Sequence, residues 1–184
     1  MSLVGGQGDG AMWTCDPHRL IKRTDCVIYS VGSDGVFDFE DGIVDLLGSK
    51  HCEIHVFDTI DQERVGDPEL RNIFFHKWGI HSSYDEVYNA EMVRDGLEGL
   101  KPEFDSLPHT MKDRFLEENR TIDILKIDCD GCEWYVPVNN TKGMRLILIY
   151  CLVLLHTGDS LFYFCVCSGR RTRTCSRWTS DKSW

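Results

Sequence analysis

The sequence predicts an α/β fold built on a mostly parallel sheet, and three observations carry that reading. CVIYSV (Cys26–Val31) and CEIHVFD (Cys52–Asp58) are short runs rich in β-branched and aromatic residues. The first is apolar on both faces, as in a strand covered on two sides, and it closes on the turn GSDG. Between the two runs lies a single amphipathic helical pattern, so strand, glycine turn, helix and strand follow one another as a βαβ unit, whose crossover should be right-handed.

The remaining elements follow in order. Asp38 is placed to cap the helix EDGIVDLLG, with Asp41 three residues on as its capping-box partner and Ile43, Val44, Leu46 and Leu47 on the apolar side. Gly48 is its stop. NIFFHKWGI (Asn72–Ile80) reads as a third strand running into a loop at Trp78-Gly79. From His81 to Asp105 the chain turns polar and acidic, which fits either a loose helix or a long loop. Ser106 then opens SLPHTMKDRFLEEN with Pro108 in the first turn, where its missing N–H is harmless. TIDILKID (Thr121–Asp128) is the fourth strand.

At 184 residues and 42% hydrophobic side chains, the chain has apolar mass for one ordinary domain. Twenty Lys and Arg against 30 Asp and Glu leave −10, the wrong sign for a phosphate-backbone binder, so nucleic acid is not an expected partner. The longest apolar run, Leu146–Leu155, has ten residues, about half of the roughly 20 that span a bilayer. The first twenty residues lack the basic start and apolar stretch of a secretory leader, so the chain as written is expected to be cytoplasmic. Nine cysteines and the sequons at Asn119 and Asn139 keep a secretory origin open if a leader is missing. Residues 1–140 hold 13 bases and 28 acids, a balance of −15, whereas residues 141–184 hold 7 bases and 2 acids, a balance of +5. The expected organisation is a ligand-binding domain over 1–140 and a divergent tail over 141–184 that is not native to the fold. LILIYCLVLL or LFYFCVC could fill one further strand by apolar content alone, and low order is expected beyond about residue 168.

A glycine turn after the first strand and an acid at the end of the second are features of the nucleotide-binding half of a doubly wound sheet, where ligands sit at the carboxyl ends of the strands. Gly32 and Gly35 permit close backbone approach, and Asp58, 23 residues beyond Gly35, could accept hydrogen bonds from both ribose hydroxyls of an adenosine. An ordinary turn would use the same glycines. The turn is not G-x-G-x-x-G, and Asp34 in it disfavours a pyrophosphate. A cationic adenosyl ligand such as S-adenosylmethionine fits better. Asp128 falls at the end of the fourth strand and should face the same cleft, Trp78 ends the third, and Lys126 reads as a snorkelling surface lysine. Cys129 and Cys132 could form a redox pair, or a zinc site with Cys15 and His18, but Asp128, Asp130 and Glu133 disfavour a thiolate, and buried small hydrophobes are the default reading. No metal site is expected. The seven histidines stand singly and read as mostly structural.

Five ordered blocks carry a resemblance: GDGAMWTCDP (Gly8–Pro17), VIYSVGSDGVFDFE (Val27–Glu40), CEIHVFD, HKWGI (His76–Ile80) and TIDILKIDCDGCEW (Thr121–Trp134). Over about residues 8 to 135 the chain resembles methyltransferase-domain proteins of the methyltransferase-like 24 type. Its last block is also similar to the strand-four signature of FkbM-type O-methyltransferases, with Asp130 in place of the usual Glu. The resemblance implies a Rossmann-like class I methyltransferase fold, a three-layer sandwich, here incomplete at its C-terminal end. It also implies S-adenosylmethionine as cofactor, with Gly32, Ser33, Asp34 and Gly35 as the methionine-side loop, Asp58 on the ribose and Asp128 beside the methyl-transfer cleft. Trp78 joins the expected cofactor residues, and Asp128 and Glu133 are the candidate catalytic acids. The expected function is a truncated, weakly active methyltransferase of unknown acceptor. The alternatives are a non-catalytic adenosine-ligand module and a thiol-redox or zinc-stabilised protein.

Overall fold

The computed structural model of the chain describes residues 2–8, 10–23, 25–60, 71–81, 104–111, 120–129, 153–157 and 160–164. In chain order the strands are β1 (Ser2–Val4), β2 (Met12–Thr14), β3 (Val27–Val31), β4 (Glu53–Phe57), β5 (Ile73–His76), β6 (Gly79–His81), β7 (Phe104–Ser106), β8 (Ile124–Ile127), β9 (Val153–Thr157) and β10 (Ser160–Phe164). A 3₁₀ turn covers Pro17–Lys22, and the helices are α1 (Asp38–Leu47) and the short α2 (Leu107–His109).

The expected parallel sheet is present, with four described strands in the order β5-β4-β3-β8. All three pairings in it are parallel. β3, β4 and β8 are buried on both faces, whereas β5 is only partly buried beyond Ile73, and alternation along the strands sorts the core into two layers. On one side Ile28, Ile54, Val56, Ile73 and Ile124 pack with Phe39 and Ile43 of α1 and with Val4, Met12 and Leu20. On the other, Tyr29, Val31, Phe57, Leu125 and Ile127 pack with Ile80, Leu107, Met111 and Ile122. Each such side chain contributes about 1.5 to 3 kcal/mol by leaving water, so this two-sided burial is what makes the sheet stable.

Several elements differ in detail from expectation. Asp38 does not cap α1: Phe37 occupies the cap position without a side-chain hydrogen bond, and Asp38 is the first helical residue. Asp41 is turned outward to Arg71 at 2.7 Å instead of closing a capping box. Asp38, Glu40 and Asp41 in the first turn still complement the helix dipole. Gly48 ends the helix as expected, with φ of 99°. Ser106 does cap α2, its hydroxyl accepting the His109 N–H at 3.2 Å. The N-terminal hairpin of β1 and β2 was not anticipated; a β-carbon on Gly42 of α1 would lie 2.2 Å from the Gly5 nitrogen, so glycine there lets the hairpin approach the helix. β9 and β10 pair with each other antiparallel rather than with the central sheet.

Two covalent or ionic ties close the amino ends of the strands. Asp123, fully buried before β8, accepts the Val27 N–H at 3.1 Å and Arg23 Nη1 at 2.7 Å. Burial pushes its carboxyl up against the opposing pull of those two donors. Cys26 and Cys52, just before β3 and β4, form a disulfide with Cα atoms 4.8 Å apart. Replacing both cysteines by serine is expected to lower stability by roughly 3 kcal/mol, from the loop entropy released in the unfolded chain. Urea denaturation under non-reducing conditions measures this; unchanged stability would mean that the bridge does not constrain the fold.

Candidate functional site

The parallel registers bring the expected site residues to one edge. Val31 lies opposite both Phe57 and Ile127, and Phe57 lies opposite His76. The residue after each strand continues the ladder: Gly32 N–H donates to Phe57 O at 2.9 Å, Asp58 N–H to His76 O at 3.1 Å, and Asp128 N–H to Val31 O at 2.9 Å. Gly32, Asp58 and Asp128 therefore stand in one row at the carboxyl edge. Gly32 and Asp128 flank the point where the sheet order reverses between β3 and β8, which is where parallel sheets open a crevice.

The turn GSDG is left-handed at three of its four residues, with φ of 76° at Gly32, 45° at Asp34 and 74° at Gly35. Asp tolerates that region through its short polar side chain, whereas Gly32 is required sterically as well. A β-carbon on Gly32 would fall 1.8 Å from the Asp128 carbonyl oxygen.

Asp58 holds this turn. Its Oδ2 accepts the Ser33 N–H at 2.7 Å, the Ser33 hydroxyl at 3.2 Å and the Asp34 N–H at 2.8 Å, while Oδ1 accepts the Ile60 N–H at 3.0 Å. Burial raises its pKa, but the combined donors outweigh burial and leave the carboxyl below its ordinary value. The carboxylate is thus committed mainly to protein donors, with one acceptor position left on Oδ1.

Lys126 corrects the expectation of a surface lysine. It is 4% exposed, and its ammonium donates to the Gly32 carbonyl at 2.7 Å. One face of β8 is covered by α1 and its cluster, so a lysine there has no route along an apolar surface to water. Trp78 follows β5 as expected and packs against Phe57 and His76, with ring centroids 5.8 and 4.8 Å apart. Asp128 is half-buried at the end of β8. Glu133, Asp130 and Cys132 lie outside the described residues.

Two further groups differ from the sequence reading. His55 and His76 do not stand singly: Nδ1 of the first is 2.9 Å from Nε2 of the second, and the rings stack. Glu53 lies 3.6 Å from His55 Nε2 and accepts Arg120 Nη1 at 2.8 Å, the bond that chiefly holds its carboxyl low. Shared parity on neighbouring strands β4 and β5 was the signal that could have found this pair. The cysteines differ too: Cys15 and Cys129 are disulfide-bonded, so neither is a buried free thiol and neither presents the thiolate that a zinc site with His18 requires. Cys26, Cys52 and His51 also cluster, with candidate ligand atoms within 4.8 Å, but the two sulfurs are bonded to each other and His51 Nε2 lies 2.7 Å from the Leu20 carbonyl.

Asp58 has a pH consequence. Its folded pKa lies below the ordinary 3.8, so the unfolded chain binds the proton more readily. The stabilisation is complete above that value and is lost as pH falls through the folded pKa. Asp58→Asn is expected to flatten this part of the acid unfolding profile; an identical profile in the variant would remove Asp58 from the acid response.

No curated protein and no solved structure shows significant similarity to the chain. A family model described as a methyltransferase domain does match, over residues 1–150. The match covers the N-terminal hairpin, the glycine turn and every described strand of the central sheet. No helix among the described residues is long and apolar enough to cross a membrane. With the glycine turn, the acid-lined carboxyl edge and this match taken together, the chain belongs to the methyltransferase-domain family.

Proposed function

We propose that this chain is an S-adenosylmethionine-dependent methyltransferase, with the carboxyl edge of β3, β4 and β8 as its cofactor site. The observation that carries the reading is the capture of the turn's donors by Asp58. A pyrophosphate would need the Ser33 and Asp34 N–H groups, and both already donate to a carboxylate. Asp34, Asp58 and Asp128 together make the edge acidic, which suits a ligand bearing an ammonium and a sulfonium and disfavours a dinucleotide.

In this reading Gly32, Ser33, Asp34 and Gly35 form the wall beside the methionine portion. Asp58 orients the turn and offers the remaining position of Oδ1 to a ribose hydroxyl. Trp78, fixed by Phe57 and His76, supplies an aromatic flank for the adenosine. The cofactor supplies an electrophilic methyl group. The chain's own part is to align the acceptor and exclude water, and an acceptor that arrives protonated also needs a base. Asp128 is proposed for that proton because it follows β8 at the crevice; Glu133 is the second candidate by its place in the sequence.

We also infer that the chain matures in an oxidising compartment. Cys15, Cys26, Cys52 and Cys129 are all disulfide-bonded, which a reducing cytosol would oppose.

Calorimetric titration tests the cofactor assignment. S-adenosylhomocysteine is expected to bind and NAD is not. Asp58→Ala should weaken binding by about 1.5 to 3 kcal/mol, through loss of charge-assisted hydrogen bonds in the turn and to the ligand. Gly35→Val should abolish it, because a β-branched residue opposes a φ of 74°. Wild-type affinity in both folded variants, or tighter binding of NAD, would refute the assignment.

A further inference from the structure

The Gly32 carbonyl is held from inside the fold by Lys126. Two residues earlier on the same strand, Ile124 packs in the cluster that contains Phe39 and Ile43, so Lys126 faces the α1 side of the sheet. Ser30, opposite Lys126 in register, shares that face; it is fully buried and its hydroxyl has no hydrogen-bond partner. Glu40, in the first turn of α1, is also fully buried, and neither of its carboxylate oxygens is hydrogen-bonded. α1 starts just beyond the carboxyl end of β3 and lies against the N-terminal hairpin, so its first turn sits toward the carboxyl end of the same layer, with no ion pair or hydrogen bond joining Glu40 to Lys126. A carboxylate and an ammonium buried separately are each costly, and opposite charges on one face of an apolar interior reduce each other's cost.

We propose that Lys126 is the positioning residue of the cofactor turn and that Glu40 is its buried counter-charge. Lys126 fixes the Gly32 carbonyl inward while Asp58 draws the Ser33 and Asp34 N–H groups the other way, so the turn is clamped from two sides before any ligand arrives. This deepens the cofactor assignment: preorganisation of the turn sets affinity without Lys126 touching the ligand.

Lys126→Met keeps the length of the side chain and removes its ammonium. Its affinity for S-adenosylhomocysteine should fall by about tenfold or more, the scale of one lost charge-assisted hydrogen bond. Amide hydrogen exchange at Ser33 and Asp34 should accelerate with no ligand present, and Lys126→Arg should restore part of both. Glu40→Gln combined with Lys126→Met should be more stable than Lys126→Met alone, yet bind as weakly, a separation of stability from affinity that a merely structural lysine would not give. Wild-type affinity and wild-type exchange in Lys126→Met would overturn the positioning role. Additive stabilities in the double variant would overturn the pairing with Glu40. If Lys126→Met does not fold, Lys126→Arg and the double variant decide in the same way. If the unmodified chain does not bind S-adenosylhomocysteine, the cofactor assignment fails, and the exchange measurement alone decides the role of Lys126.

Discussion

The candidate site depends on one steric constraint, the passage of the chain at Gly32 beneath the carbonyl of Asp128. β3 and β8 remain in register to their last residues, Val31 and Ile127, and the ladder continues through the Asp128 N–H. The two chains must then separate within a single residue. Only a residue without a β-carbon can leave β3 at that point, since any other would meet the Asp128 carbonyl at 1.8 Å. The left-handed turn that results presents its N–H groups to the end of β4, where Asp58 accepts them. Geometry at one glycine thereby fixes the relation between three strands and the acid row above them.

That arrangement also bears on the chemistry of the proposed ligand. Glycine turns at helix starts commonly bind phosphate because their N–H groups are unclaimed. Here a buried carboxylate has claimed two of them, and its depressed pKa keeps it charged at any physiological pH. The turn is electronegative rather than donor-rich, because two of its N–H groups are already bonded to Asp58. For the proposed ligand, such a wall favours the ammonium and sulfonium of S-adenosylmethionine over the two phosphates of a dinucleotide.

Much of this was legible in the sequence because the signals were local and redundant. The four strands, their parallel pairing, α1 with its Gly48 stop and the Ser106 cap each rest on a short pattern with one dominant physical cause. Gly32, Asp58 and Asp128 could be placed on one edge because strand ends are set by where apolar runs stop. What was missed depends on partners far apart in the chain. Lys126 reads as a surface residue by composition, and only the covering of β8 by the α1 layer shows its burial. Cys26 and Cys52, separated by 26 residues, meet because β3 and β4 start side by side. His55 and His76 meet for a similar reason on β4 and β5. Asp38 and Asp41 matched a capping box, but the helix starts with Phe37 at the cap and Asp38 already helical, so the box is out of register and Asp41 is left to pair with Arg71.

The most direct test of the account is an amide-resolved titration of the ¹⁵N-labelled chain with S-adenosylmethionine. The largest shifts are expected at Gly32 to Gly35, Asp58 and Trp78, saturating together with one affinity. Saturable shifts confined to another part of the fold, or none at all in a folded sample, would contradict it.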